Sequence, residues 1–167
     1  AQTGKDNVKL SFTVLRKMAK VFREAAFAVK AVATVKDEEV FVYDVLPAGE
    51  EVSAYGIAID IGTTTVSGVI IDLLSGKILA KASSGNGQIR YGADVINRII
   101  EQQKPGGVEK LQKAVVEETM NPMIVNMCRA AKIAPECIYR MSIGANTTMN
   151  HLLVGVDGDP IRMEPFI

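Results

Sequence analysis

The sequence has no tryptophan, one histidine (His151) and two cysteines, Cys128 and Cys137. Two thiols cannot build a disulfide framework or an all-cysteine metal site, and His151 completes no ligand cluster with them by spacing. Cysteines this sparse read as reduced thiols, so a cytoplasmic location is expected. An excess of one charge is also missing, because nineteen Lys and Arg balance nineteen Asp and Glu. Without a basic field to gather phosphate backbones, the composition argues against a dedicated nucleic-acid binder. No apolar run approaches the ~20 residues that span a bilayer, so no membrane partner is expected. The polar start, AQTGKDN, holds no apolar core before a cleavage site, so no signal peptide is expected either. What is present is 48% hydrophobic and 23% charged residues in a chain of 167. That composition suits a folded domain able to bury a core without staples.

Apolar residues at Leu10, Val14, Met18, Phe22 and Ala25 recur every three or four positions. They predict an amphipathic helix from Leu10 to about Ala26, with Lys17, Lys20, Arg23 and Glu24 on its wet face. The ten residues before it are polar and read as irregular. FAVKAVATVK and VFVYDV, parted by Asp37-Glu38-Glu39, predict a β-hairpin rich in Val, Phe and Tyr. Leu46-Pro47-Ala48-Gly49 and the acids Glu50-Glu51 punctuate its end. Residues 1–54 therefore read as a small α+β module, a linker, and residues 55–167 as a separate α/β domain.

In the second domain GIAIDIG, TTVSGVIID and KILAKAS predict three strands, the last two joined by the tight turn Leu74-Ser75-Gly76-Lys77. Connections this short allow only an antiparallel meander. A glycine-rich loop follows from Ser83 to Gly92, and then a helix opening at Asp94. A longer helical stretch runs from about Val108 to Lys132, where Pro122 should kink or divide it. CIYRMSIG is a fourth strand, followed through Ala145-Asn146 by a short helix, TTMNHLLV.

The strongest chemical signal is Asp60-Ile61-Gly62-Thr63-Thr64-Thr65. Gly62 lets backbone amides approach an anion with no side chain in the way. Thr63, Thr64 and Thr65 add hydroxyl donors, and Asp60 at a strand end can hold a hydrated Mg²⁺ that bridges the same phosphates. The plainer alternative is a hairpin turn with β-branched residues and a capping Asp. Asn146 is open to two readings as well: a helix cap, or a polar contact to a nucleotide in a cleft. His151 reads as packed or capped, Cys128 as core, and Asp94 with Arg98, one turn apart, as a simple pair.

The Asp60–Thr65 segment resembles the first phosphate motif of the actin-like ATPase superfamily, and the order meander, helices, strand is that of its first, ribonuclease-H-like lobe. Three further series carry a closer resemblance: Asn86-Gly87-Gln88, Tyr91-Gly92-Ala93-Asp94-Val95-Ile96-Asn97-Arg98-Ile99, and Gly144-Ala145-Asn146-Thr147-Thr148-Met149-Asn150-His151-Leu152-Leu153. With Asp60–Thr65 they resemble the reductive activators of corrinoid proteins, over about Tyr55 to Ile167. The resemblance implies an ATP-dependent protein that returns a corrinoid partner's cobalt to the Co(I) state. It implies Mg²⁺ at Asp60 and nucleotide phosphates on Gly62, Thr63, Thr64, Thr65 and Asn146; it assigns no catalytic residue. It also implies a ferredoxin domain with a [2Fe–2S] cluster, whose C-x₄-C-x₂-C series is absent here, and a second lobe beyond Ile167. The expectation is an internal piece of a larger protein, inactive alone and inclined to self-associate as a homo-oligomer. Two rivals stand beside it: a small-molecule kinase of the same superfamily, and a scaffold or dimerisation fragment without nucleotide.

Overall fold

Ser11 joins the first two elements in the computed structural model, which describes residues 7–165. Its hydroxyl accepts the Val14 N–H at 3.2 Å and so caps α1 (Phe12–Glu24). Ahead of it lies β1 (Asn7–Leu10), and after it come β2 (Val29–Lys36) and β3 (Glu39–Pro47). The chain divides into two compact units, Ala1–Ala54 and Tyr55–Ile167.

In the first unit β3 lies centrally, antiparallel to β2 and parallel to β1. The sequence pattern marks no strand at 7–10, where apolar and polar residues alternate too briefly to register. The pairing partner supplies the missing information, since Val8 and Leu10 lie beside Val40 and Val42. The remainder of the polar start, residues 1–6, lies outside the described residues. Val14, Val40, Val42 and Val45 form the buried core, with Leu10, Met18, Val21, Phe22 and Val29 packed around it. The helix is shorter at both ends than its periodicity suggests. Ala26 and Phe27 take positive φ values of 47° and 64°, and Phe27 N–H closes on Phe22 O at 2.7 Å.

The second unit is the expected α/β lobe with a mixed sheet. β4 (Tyr55–Ile61), β5 (Thr65–Asp72) and β6 (Ile78–Gly85) form the antiparallel meander. A helical crossover of α2 (Val95–Gln102), α3 (Gly107–Val115) and α4 (Asn121–Ala131) leads to β7 (Ile138–Ala145). That strand lies parallel to β4, so the sheet order is β6-β5-β4-β7. Two short helices, α5 (Thr147–Val154) and α6 (Asp159–Arg162), complete it. Ile57, Ile59 and Ile61 point with Val66 and Ile70 into a core shared with Leu111, Val115, Met123, Met127 and Leu152. The opposite face carries Ala58, Asp60, Ser67, Val69, Lys81 and Ser83 around an open depression of about 350 Å³.

Two segments differ from the sequence pattern. The glycine-rich stretch Ser83–Gly92 is not one loop: β6 runs to Gly85, and Gly87–Arg90 form a 3₁₀ turn capped by Asn86, whose carboxamide oxygen accepts Gln88 N–H at 2.9 Å. The long helix divides just before Pro122, through a π-turn at Val116–Met120. Apolar spacing cannot reveal that turn, because it inserts one residue without ending the helical run. Its product is a precisely used hydroxyl. Thr119 Oγ1 donates to Ala114 O at 2.7 Å and accepts Gly87 N–H at 3.0 Å. Thr119→Val keeps the shape and strands both groups. Urea unfolding is expected to show a loss of about 1–3 kcal/mol, and a loss within measurement error would mean that the hydroxyl joins nothing of consequence.

Candidate functional site

Asp60 ends the exposed face of β4, and Gly62 begins the turn into β5. The turn closes through Gly62 N–H to Thr65 O at 2.9 Å. A Cβ built on Gly62 would lie 2.7 Å from that same Thr65 oxygen, so a side chain there would open the turn. The turn sits at the carboxyl ends of two adjacent parallel strands, with Asp60 beside Gly144 and Ile61 beside Ala145. In open α/β sheets this end of the strands is where ligands bind.

Three consecutive carbonyls of the turn are held from within. Asn86 Nδ2 donates to Gly62 O at 2.9 Å, Arg98 Nη2 to Thr63 O at 2.6 Å, and Asn86 N–H to Thr64 O at 2.8 Å. Both holding side chains are buried, Asn86 with 1% and Arg98 with 0% of its surface exposed. Across a planar trans peptide the C=O and N–H point in opposite directions. Pinning the Gly62 and Thr63 oxygens inward therefore turns the N–H groups of Thr63 and Thr64 outward. Among the described residues neither N–H has an acceptor. Two free donors in succession, with threonine hydroxyls on either side, make a concavity suited to an anion.

Register places Asp60, Ser67 and Thr65 on the same face of the sheet. Asp60 is exposed, and a Cβ built on its neighbour Gly144 would meet nothing within 4 Å. Space for a ligand thus exists directly beside the carboxylate. Asn146 does two things: its Oδ1 accepts Met149 N–H at 2.9 Å and caps α5, while its Nδ2 faces Thr63 Oγ1 at 3.4 Å. It braces the turn from the β7 side.

Other sequence candidates have structural occupations. Asp94 does not pair with Arg98. Its two oxygens accept Asn97 N–H and Asn97 Nδ2, each at 2.8 Å, which caps α2 and holds its carboxyl below the usual range. His151 Nδ1 donates to Thr147 O at 2.8 Å within α5. Cys128 is buried, and that burial pushes its thiol pKa up. Cys137 is half-buried at the start of β7. No group of three or more His, Cys, Asp or Glu side chains among the described residues could hold a metal. A single carboxylate fits Mg²⁺, which is commonly held by one or two carboxylates, waters and substrate phosphates.

Residues 55–167 match the family described as the RACo middle region. The chain belongs to that family. The chain is also similar to longer proteins. The corrinoid activation enzyme RamQ of Eubacterium limosum is 37% identical over 128 residues, 75% of this chain and 21% of RamQ. A solved structure described as a reductive activator for corrinoid, iron-sulfur protein aligns with a TM-score of 0.84 at 33% identity. That alignment covers 99% of this chain and 26% of the other. The chain therefore spans about a quarter or less of the length of the relatives it matches.

The residues behind the turn escape sequence reasoning. Asn86 and Gln88 stand in a recognisable series, yet nothing local says that they are buried. Arg98 is hidden by Asp94 four residues earlier, which suggests an exposed helical pair. A cationic residue flanked by Ile96, Ile99 and Ile100 was the available signal, since a charge among apolar neighbours must find buried partners.

Proposed function

We propose that the Gly62–Thr65 turn binds the phosphates of ATP, with Mg²⁺ at Asp60, in a protein that reductively activates a corrinoid partner. The single observation that carries the nucleotide part is the pair of outward N–H groups on Thr63 and Thr64. They are free because buried side chains hold the carbonyls inward. The hydroxyls of Thr63, Thr64 and Thr65 supply further donors, and the Asp60 carboxylate supplies the charge a cation needs beside the phosphates. The corrinoid part rests on membership of the RACo middle-region family and on likeness to RamQ and the solved activator. ATP in this reading favours the conformation that engages the oxidised partner; a [2Fe–2S] cluster would supply the single reducing electron, and this chain's two cysteines cannot hold one. Neither Cys128 nor Cys137 is proposed as a ligand of that cluster.

The test is Asp60→Ala. Asp60 is exposed and contributes no described hydrogen bond or ion pair, so its loss should leave thermal unfolding almost unchanged. In the full-length protein of which this chain is the expected internal piece, hydrolysis of MgATP is expected to fall by about ten-fold or more, since a ten-fold change needs only ~1.4 kcal/mol of lost interaction. Unchanged hydrolysis in a folded variant would remove Asp60, and Mg²⁺ with it, from the site.

A further inference from the structure

Arg98 carries a charge that the fold leaves without a counter-ion. Its guanidinium is fully buried, and every group it touches is neutral. Nε donates to Gly92 O at 2.8 Å and Nη2 to Thr63 O at 2.6 Å. Nη1 faces Gln88 Oε1 at 3.4 Å and Met149 Sδ at 3.3 Å. Among the described residues no carboxylate stands within ion-pair distance of it. Asp94 attracts it from farther away, but both Asp94 oxygens are committed to Asn97. Burying a cation among neutral acceptors carries a desolvation penalty that carbonyl dipoles offset only in part. Burial accordingly pulls the Arg98 pKa down, although the group remains charged at any ordinary pH.

Buried charges in folded proteins are as a rule paired, and an anion seated on the turn would supply the partner that Arg98 lacks. The Thr63 carbonyl that Arg98 holds belongs to the same peptide as the outward Thr64 N–H. The guanidinium polarises that peptide from behind, making the N–H a stronger donor on the far side. We propose that Arg98 is a positioning residue whose counter-ion is the bound ligand, so that the Gly62–Thr65 turn selects a polyanion such as a nucleotide's phosphate chain. This deepens the phosphate-binding reading above and rests on it.

Three variants separate charge from shape. Arg98→Lys keeps the charge but loses the fork. Arg98→Met removes the charge while retaining an apolar stem. Gln88→Glu gives Arg98 a carboxylate partner at the position now held by Gln88 Oε1, and it also removes the Nε2 donation to Leu111 O at 3.0 Å, a loss that the parallel unfolding reads. The probe is magnesium tripolyphosphate, titrated calorimetrically at two ionic strengths, with thermal unfolding followed in parallel. Relative to the native protein, losses of about three-fold for Arg98→Lys and about ten-fold or more for both Arg98→Met and Gln88→Glu are expected. The two neutralised variants should also lose part of the salt dependence. Equal losses in Arg98→Lys and Arg98→Met, or native affinity in Gln88→Glu, would overturn the proposal while leaving the turn as an anion site. A native protein with no affinity for the probe would overturn both readings together. If Arg98→Met fails to fold, Gln88→Glu is read against Gln88→Met, which loses the same Nε2 bond to Leu111 O without adding a charge, and equal losses in the two would overturn the proposal.

Discussion

In the full-length protein Gly62→Val is expected to lower the affinity for MgATP by about 100-fold, equivalent to ~2.7 kcal/mol, while the protein still folds. The Cβ of any side chain there lies 2.7 Å from Thr65 O, which is the acceptor that closes the turn. The contact is with backbone, so relief requires the turn to open. Opening it moves the Gly62 carbonyl away from Asn86 and swings the Thr63 N–H off its outward direction. A β-branched residue also narrows the approach to the amides. Thr65→Val is the control, since it keeps the backbone and removes one exposed hydroxyl. Its loss should stay below about ten-fold. Calorimetric titration of both variants is the measurement. Equal or reversed losses would show that the turn does not meet phosphate through its backbone.

Gly107→Ala is expected to have the largest effect on stability, about 3 kcal/mol or more by urea unfolding. Gly107 is buried at the first turn of α3, and an added Cβ would sit 2.0 Å from Glu101 O and 2.9 Å from Gln102 O. Neither α2 nor α3 can yield cheaply. The end of α2 is tied down by Gln102, whose Nε2 donates to Val156 O at 2.8 Å and whose Oε1 accepts Gly158 N–H at 2.9 Å. α3 is held by Leu111 and Ala114, both fully buried. The adjacent Gly106 gives the contrast. Its φ is +70°, and a Cβ there would meet nothing within 4 Å. Gly106→Ala therefore costs only the left-handed penalty of about 1–2 kcal/mol. A Gly107→Ala loss no larger than that of Gly106→Ala would mean that the α2–α3 junction is looser than its packing indicates. Because α2 carries Arg98, the Gly107 variant should also weaken the hold on Thr63.

The repeating elements were legible because their signals are local. Short runs rich in Val, Ile, Phe and Tyr mark β2 to β5, the spacing of Val14, Met18 and Phe22 marks α1, and Pro122 warns of the break that the π-turn makes. Asp60, Gly62 and the three threonines announce a turn suited to anions, because their chemistry lies in residue types and immediate order. Tertiary structure alone decided what holds that turn in shape. Strand β1 exists because β3 offers it a parallel edge, a partner some thirty residues away in sequence. Asn86, Arg98 and Asn146 meet the turn from 24, 35 and 83 residues away. The direction of Arg98 was decided by burial rather than by its neighbours: Asp94 is saturated by its own helix, and the guanidinium, shut away from water, had to take the Thr63 and Gly92 carbonyls instead. Local sequence can specify which donors a site offers. Which way those donors face depends on what fills the space behind them, and that is a property of packing.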